Sequence, residues 1–221
     1  MARPVSRRSQ MNRTVLVLAV ALLGASLVSC TAHGEPSAAP SVPQSSVAAP
    51  SIRQTDDEGR TLPFENPFPN RWSTNNDGSA YEPCTQISEA LIREFGLDPQ
   101  SIEDVAASDF QTARGCSWTF NDDGRSSLSQ AVGNLTPAAQ GLDGYKRFNA
   151  AGTTWYPDIE IDGRRVLVGS IASGECTQIV RSGDAAVVTT ITRVGFDRPS
   201  TVDVCRTVEQ FVRSTLPGIP S

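Results

Sequence analysis

Three groups of acidic residues are the first candidates for chemistry in this sequence: Glu103-Asp104, Asp122-Asp123, and Asp158 with Glu160. Two carboxyl groups that face each other across a cleft can hydrolyse a glycosidic bond. Asp122 and Asp123, however, belong to an Asn-Asp-Asp-Gly turn sequence, and Asp158 and Glu160 share one face of a predicted strand. The pattern therefore favours solvated acids over a catalytic pair.

Histidine chemistry is restricted to His33, the only histidine of the chain, which lies three residues after Cys30. A Ser-His-Asp triad, a Cys-His pair and a histidine metal site are therefore excluded from the remainder of the sequence. The sequence also lacks a nucleophile elbow, a phosphate-binding loop and a Ser-x-x-Lys motif. We predict no cofactor, no metal and no enzymatic activity, and a carboxylate-based hydrolase of envelope glycans stays open as an alternative.

The N-terminus predicts export and lipidation. Residues 1–29 carry four arginines and no acid, and the apolar run of residues 15–28 is too short for a membrane span. Leu27-Val28-Ser29-Cys30 fits the lipobox of bacterial lipoproteins. We predict that Cys30 receives a diacylglycerol and anchors the chain to the extracytoplasmic face of the cell membrane. An ordinary signal peptide with an incidental cysteine is the alternative, and the Arg7-Arg8 pair leaves the export route open.

Composition divides the rest of the chain in two. Residues 30–80 are rich in Pro, Ser and Ala, which predicts a disordered tether, and residues 81–217 are long enough for one folded domain. Residues 61–69 hold two Phe among three Pro, so they either dock on an apolar groove, pack on the domain or stay disordered. After removal of residues 1–29, 15 basic and 24 acidic residues give a net charge of −9, which is unsuited to nucleic acid.

The remaining four cysteines predict a disulfide framework: Cys84, Cys116, Cys176 and Cys205. Their number is even and an exported domain meets an oxidising compartment. We favour the pairs Cys84–Cys116 and Cys176–Cys205, because each joins a predicted helix to a strand and closes a loop of about 30 residues. A four-cysteine zinc site is disfavoured because no two cysteines show close ligand spacing.

The elements that carry these residues predict an α+β domain. The apolar period favours helices over residues 85–95, 136–149 and 200–216 and strands over residues 116–120, 127–132, 155–161, 165–171, 177–181 and 185–193. Asp162-Gly163 is a strong hairpin signal, and Ser182-Gly183-Asp184 predicts a second turn. Ser200 followed by Asp203 predicts a capping box. We expect a single antiparallel sheet packed with helices.

Two tryptophans are candidates for a binding surface, since aromatic side chains anchor protein interfaces and apolar ligands. Trp118 lies two residues after Cys116, and Trp155 opens a predicted strand. Packing of Trp118 against a disulfide is the alternative for that residue. Arg164-Arg165, at a hairpin tip, either meets an anionic partner or belongs to a solvated turn.

The cysteine motifs resemble a family of actinobacterial lipoproteins built on a domain of unknown function, to which the mycobacterial LprB and LprC lipoproteins belong. Pro83-Cys84, Cys116-Ser117-Trp118, Cys176 and Asp203-Val204-Cys205 carry the resemblance, which covers about residues 80–216. Val204 and the long tether depart from the family pattern. The resemblance implies a disulfide-linked domain on the outer face of the cytoplasmic membrane, and it implies no activity.

Together these observations predict a membrane-anchored, non-catalytic domain that binds an envelope protein or an apolar ligand. A carrier of apolar lipid is a second alternative, and it requires a large apolar cavity.

Overall fold

The structure is a computed structural model that describes residues 51–221. The predicted signal segment, the predicted lipidation site Cys30 and residues 31–50 of the predicted tether lie outside the described residues. The described residues belong to one compact unit with its own core, so they can fold without the preceding chain. Within residues 51–221, no helix is long and apolar enough to cross a membrane.

An antiparallel sheet of eight strands forms the centre of the fold. The strands are β1 (Glu103–Asp104), β2 (Ala113–Thr119), β3 (Ser127–Asn134), β4 (Thr154–Trp155), β5 (Ile159–Ile161), β6 (Arg164–Ser170), β7 (Glu175–Ser182) and β8 (Ala185–Thr192). Their order is β1-β2-β3-β8-β7-β6-β4, and β5 also pairs with β6. The predicted α+β class with one antiparallel sheet is confirmed.

Local turn chemistry determines the register of the hairpins. Asp162 and Gly163 join β5 to β6, and both have positive φ values, 48° and 77°. Two consecutive residues with positive φ match the right-handed twist of the flanking strands, which is why Asp-Gly favours this turn. Ser182 pairs directly with Ala185 across the second turn, where Gly183 has a φ of 58°. Both predicted hairpins are confirmed.

The two faces of the sheet differ because strand side chains alternate. In β3, every second residue is buried and the residues between are half-buried. The buried face packs against α4 (Thr201–Thr215), whose apolar stripe of Val204, Val208, Phe211 and Val212 faces the core. Ser200 caps α4, since its hydroxyl accepts a hydrogen bond from the Asp203 amide. The predicted C-terminal helix is therefore present.

Three shorter helices complete the fold: α1 (Pro83–Gln86), α2 (Glu89–Glu94) and α3 (Gly141–Phe148). The single helix predicted over residues 85–95 is wrong, because Ile87 is extended and Ser88 starts a new helix by accepting from the Leu91 amide. Short 3-10 turns span Pro99–Ser101, Ala138–Gln140 and Leu216–Gly218. α3 packs on the second face of the sheet, against Leu167 and Ile179.

Both predicted disulfides are present. Cys84–Cys116 joins α1 to β2, and Cys176–Cys205 joins β7 to α4. All four half-cystines belong to the core beneath α4 or pack against it. Each bridge therefore fastens a helix to the sheet on the same buried face.

The predicted boundary between tether and domain at residue 81 is wrong for residues 51–80, which fold back onto the domain. Leu62 lies in the core and Phe64 packs against it, so the Pro-Phe segment packs on its own domain. Arg53 and Arg71 lie over the ring of Trp72, at 4.2 and 4.6 Å from its centroid. Composition suggested disorder because the segment has few aliphatic residues, whereas its order comes from buried charge and amide hydrogen bonds.

Candidate functional site

The two candidate tryptophans lie on opposite faces of the sheet. Trp118 is 2 % exposed and belongs to the core beneath α4, so it cannot form part of a binding surface. Trp155 is half-buried beside α3, where its ring packs on Gly169. Lys146 lies over that ring, 5.5 Å from its centroid. The structure therefore separates the predicted pair, and only Trp155 is available to a ligand.

The candidate acids are also separated. Asp104 pairs with Arg71 at 2.7 Å near the buried face, whereas Asp122 and Asp123 pair with Arg193 at the turn between β2 and β3. Burial would raise the pKa of Asp123, but hydrogen bonds from Ser126 and the Arg125 amide lower it to about 2. These contacts keep the Asp123 carboxylate ionised, and they bind it to residues of its own turn and to Arg193.

The third acidic group fixes α3 instead of forming a catalytic pair. Asp158 accepts hydrogen bonds from Lys146 at 2.8 Å and from Arg165 at 2.7 Å, while Glu160 is exposed. Burial would raise the pKa of Asp158, but these two hydrogen bonds and both positive charges lower it. Arg165 also pairs with Asp143 of α3 at 2.8 Å. Arg165 therefore acts as a clamp between α3 and β6, within the protein.

A groove lies on the second face of the sheet. It has a volume of about 570 Å³, and α3 forms one wall while the Thr74-Asn75 segment forms the other. The floor consists of small side chains on three adjacent strands, among them Ala131, Gly133 and Ala186. At Gly133 a β-carbon would lie 2.8 Å from the Thr112 carbonyl oxygen, so the close approach of the chain there requires glycine.

A smaller recess of about 150 Å³ lies beside the groove. Tyr145, Asn149 and Val188 line both spaces, so the recess adjoins the groove at these residues. Trp155 and Gly169 line the recess on the far side. Burial raises the pKa of Tyr145, which keeps its hydroxyl protonated at neutral pH. Groove and recess together are lined without a single Asp, Glu, Lys or Arg.

Exposed apolar side chains accompany this concave face. Phe148 lines the groove and is 84 % exposed, and Ile171 lines the recess and is 72 % exposed. Phe110, also largely exposed, lies two residues before the groove residue Thr112 and has a φ of 56°. A positive φ is strained for a bulky aromatic residue, and the Asn75 side chain stabilises it by donating to the Phe110 carbonyl at 2.8 Å. Phe148 and Ile171 therefore offer exposed apolar surface at the two concave spaces.

Residues 25–218 match the family model described as "Protein of unknown function (DUF3558)". The chain belongs to the DUF3558 family. No curated protein matches the chain. No solved structure matches it either.

Metal chemistry has no support in the described part of this DUF3558 chain. No group of three or more His, Cys, Asp or Glu side chains among residues 51–221 is placed to hold a metal ion. The four cysteines that a zinc site would need are joined in disulfides.

The two arginines of the β5–β6 hairpin bind groups within the protein. Arg164 donates to the Ile219 carbonyl at 2.6 Å, and Arg165 pairs with Asp143 and Asp158 beside α3.

The groove of this DUF3558 domain was missed from the sequence, although a signal for it exists. On the second face, β3 presents Ser127, Ser129, Ala131 and Gly133, and β8 presents Ala186, Val188, Thr190 and Thr192. A solvent-facing strand surface usually carries charged residues, whereas these eight positions carry none. An uncharged row of small residues on two central strands indicates a face that is covered by something other than water.

Proposed function

We propose that the chain is a membrane-anchored extracytoplasmic lipoprotein whose domain binds an uncharged, largely apolar ligand in the groove beneath α3. The proposal is for a non-catalytic binding domain of the cell envelope, in a chain that resembles the LprB/LprC-like actinobacterial lipoproteins. An exposed apolar surface of an envelope protein is the alternative occupant of the same face.

The observation that carries this proposal is the composition of the groove. Ligand sites are typically concave, mostly apolar and lined by aromatic residues with a few polar groups, in volumes of about 300–1,000 Å³. The groove has a volume of about 570 Å³, with Tyr145 and Phe148 on one wall and amides of Asn75 and Asn134 on the other. The absence of charge among its lining residues favours a ligand that is itself uncharged, because a charged one would lose hydration without an ionic partner.

The proposed anchor would hold this groove close to a source of apolar ligands. Twenty residues separate Cys30 from Ser51. Even a fully extended chain of that length reaches no farther than about 70 Å, so the proposed anchor would keep the domain within that distance of the membrane. The family match begins at residue 25 and therefore includes Cys30, which supports treating the anchor as part of the shared design.

The hydrolase alternative has weaker support. A glycosidase needs two carboxyl groups about 5–10 Å apart across a cleft. Neither groove nor recess is lined by an acid, and Asp104, Asp123 and Asp158 are each paired with a cation. The lipid-carrier alternative fits the apolar lining and differs from our proposal only in the fate of the ligand after binding.

A neutral fluorescent dye tests the proposal. Purified chain from residue 31 onward, which contains the whole described unit, is titrated with Nile red. Ala131→Leu places extra carbons on the groove floor and should weaken dye binding about tenfold, the factor expected for 1–3 kcal/mol of overlap.

Ser129→Leu is the matched control, since Ser129 lies two residues earlier on the same face of β3 but outside the groove lining. Its dye affinity should change by no more than about twofold, and both variants should keep the wild-type unfolding temperature. Absence of dye binding by the wild type, or equal affinity in all three proteins, would contradict the proposal.

A further inference from the structure

The second face of the sheet is divided into an apolar half and a hydroxyl half. The groove residues Ala131 and Val188 are paired across β3 and β8, in one row with Gly115 of β2 and Ile179 of β7. Two residues further along the same strands, on the same face, every side chain carries a hydroxyl group. These residues form two rows, which we call the hydroxyl patch: Ser117, Ser129, Thr190 and Thr177 in the first, and Thr119, Ser127 and Thr192 in the second.

Most hydroxyl groups of the hydroxyl patch are free to bind a ligand. All seven residues are half-buried, as side chains on the open face of central strands are. Thr177 and Thr190 share a hydrogen bond of 2.8 Å, and Thr177 also donates to the Glu175 carboxylate at 2.5 Å. The other five hydroxyls form no hydrogen bond with any residue from 51 to 221. Each of them can rotate to donate or to accept.

The hydroxyl patch contains no charged residue. Glu175 is paired with Thr192 at the end of the second row, but it is 3 % exposed. Its carboxylate accepts from the Ile171 amide at 2.7 Å as well as from Thr177, so it is bound within the protein. The patch therefore offers hydrogen bonds without an ionic partner, which favours an uncharged group over a charged one.

The extent of the hydroxyl patch indicates a ligand group with several hydroxyls. Neighbouring strands lie about 4.8 Å apart and alternate residues of a strand about 7 Å apart, so the patch covers roughly 14 by 7 Å. Thr177 and Thr190 also line the recess, which adds the hydroxyls of Tyr145 and Thr153 and the amide of Asn149. This lining supplies both donors and acceptors, and each hydroxyl of a sugar can likewise do both.

Resting on the function proposed above, we propose that the groove and the hydroxyl patch together bind an uncharged amphiphile whose head is a sugar. Its apolar part lies in the groove along Ala131 and Phe148, and its head lies over Ser129 and Thr190. The continuity of the two halves carries this inference. Ala131 and Ser129 follow each other on one face of β3, so a ligand that extends beyond the groove floor along this strand meets the patch directly.

Competition against bound Nile red tests the sugar head. Octyl glucoside and its tetra-O-methyl ether share an alkyl chain and a sugar ring, but only the glucoside has hydroxyl protons to donate. Both are used below the concentrations at which they form micelles. Wild type should bind the glucoside about tenfold more tightly than the ether, the factor that roughly one net buried hydrogen bond supplies.

Variants of Ser129 assign this preference to the hydroxyl patch. Ser129→Leu covers the centre of the patch with an apolar side chain, so the preference should fall below about twofold while the Nile red affinity is retained. Ser129→Thr keeps a hydroxyl and should keep the preference. Ser214→Leu is the matched control, because Ser214 is exposed on α4, on the opposite side of the sheet, and it should also keep the preference.

Each outcome separates the sugar head from the groove. Dye binding with equal affinity for the glucoside and the ether in the wild type would overturn the sugar head and leave the groove proposal standing. Failure of the dye to bind at all would overturn both. A preference that persists in Ser129→Leu, or one that is lost in Ser214→Leu, would overturn the assignment to the hydroxyl patch.

Discussion

Arg71 donates two hydrogen bonds to the carboxylate of Glu82, at 2.7 and 3.2 Å, and both residues are 0 % exposed. Arg114 donates to the same carboxylate at 3.0 Å, and Asp104 accepts from Nε of Arg71 at 2.7 Å. Two guanidinium groups and two carboxylates therefore balance in charge inside the protein. This network joins residues 51–80 to the sheet, and it encloses Cys84, whose amide also donates to Glu82.

Removal of the Glu82 carboxylate should strongly destabilise the protein. Glu82→Gln keeps the side-chain size but leaves two buried arginines with one negative partner, Asp104. Breaking a buried ion pair from one side typically costs about 3–5 kcal/mol, because the remaining charge cannot be resolvated. We expect that loss in the free energy of unfolding, measured with denaturant.

Glu89→Gln is the control for Glu82→Gln. Glu89 pairs with Arg93 at 2.8 Å on the surface of α2, and both side chains are more than half exposed. Surface pairs contribute about 0–1 kcal/mol, so this variant should unfold almost like the wild type. If both variants lost a similar amount of unfolding free energy, burial would not explain how much the network stabilises the protein.

Acid should loosen the attachment of residues 51–60 through Asp56. Burial would raise the pKa of Asp56, but hydrogen bonds from Thr85 and Arg60 and the Arg60 charge lower it from 3.8 to about 2. A folded-state pKa below the unfolded one stabilises the protein above the unfolded value and is lost as pH falls. This contribution should be about 2 kcal/mol at pH 6, and about half of it should remain at pH 3.

The measurement compares wild type with Asp56→Asn across that pH range. The difference between their free energies of unfolding should shrink as pH falls from 5 to 3. Asp57→Asn serves as the neighbouring control, because the Asp57 carboxylate is half exposed and pairs with Arg53 at the surface. A constant difference between wild type and Asp56→Asn would refute the assigned role.

The two disulfides should differ in their contributions, although their loops are nearly equal. They close separations of 32 and 29 residues, for which chain entropy predicts roughly 3–4 kcal/mol each. Cys84, unlike Cys176, also accepts a hydrogen bond from Arg71 at 3.3 Å within the buried network. The double variant Cys84→Ala/Cys116→Ala should therefore lose more stability than Cys176→Ala/Cys205→Ala in denaturant unfolding, and equal losses would contradict this coupling.

The parts of the fold that were predictable depend on local signals. Asp162-Gly163 specifies its own turn, and the spacing of Val204, Val208 and Phe211 specifies one helix face, so both could be read from neighbouring residues. The cysteine pairing followed from the same elements. In contrast, β3 pairs with β8 across some 50 residues of chain, and no local pattern encodes that contact.

The candidate site was harder to predict. It is marked by an absence of charged residues and by contacts between residues that lie far apart in the sequence. The buried ion-pair network was hard to predict as well, because Arg71 and Glu82 look like ordinary surface charges in sequence and their burial depends on Arg114, which lies far along the chain. The recess depends on Thr177 and Thr190 meeting on adjacent strands. Trp118 was misleading as a candidate because a strand position determines the face, and its face is the core.

The predicted lipid anchor on Cys30 would hold the domain at the membrane, and it can be tested separately from the groove. Cys30→Ser removes the thiol to which a diacylglycerol would be joined, so the variant should leave the membrane fraction, and it should lose the mass of the lipid. Nile red binding by the released variant should equal that of the chain from residue 31 onward, because the groove residues Tyr145 and Ala131 lie within the described unit. A variant that stays membrane-bound with an unchanged mature N-terminus would disprove lipidation at Cys30. It would leave the groove to be judged by its own variants, since no residue of the groove depends on the lipid.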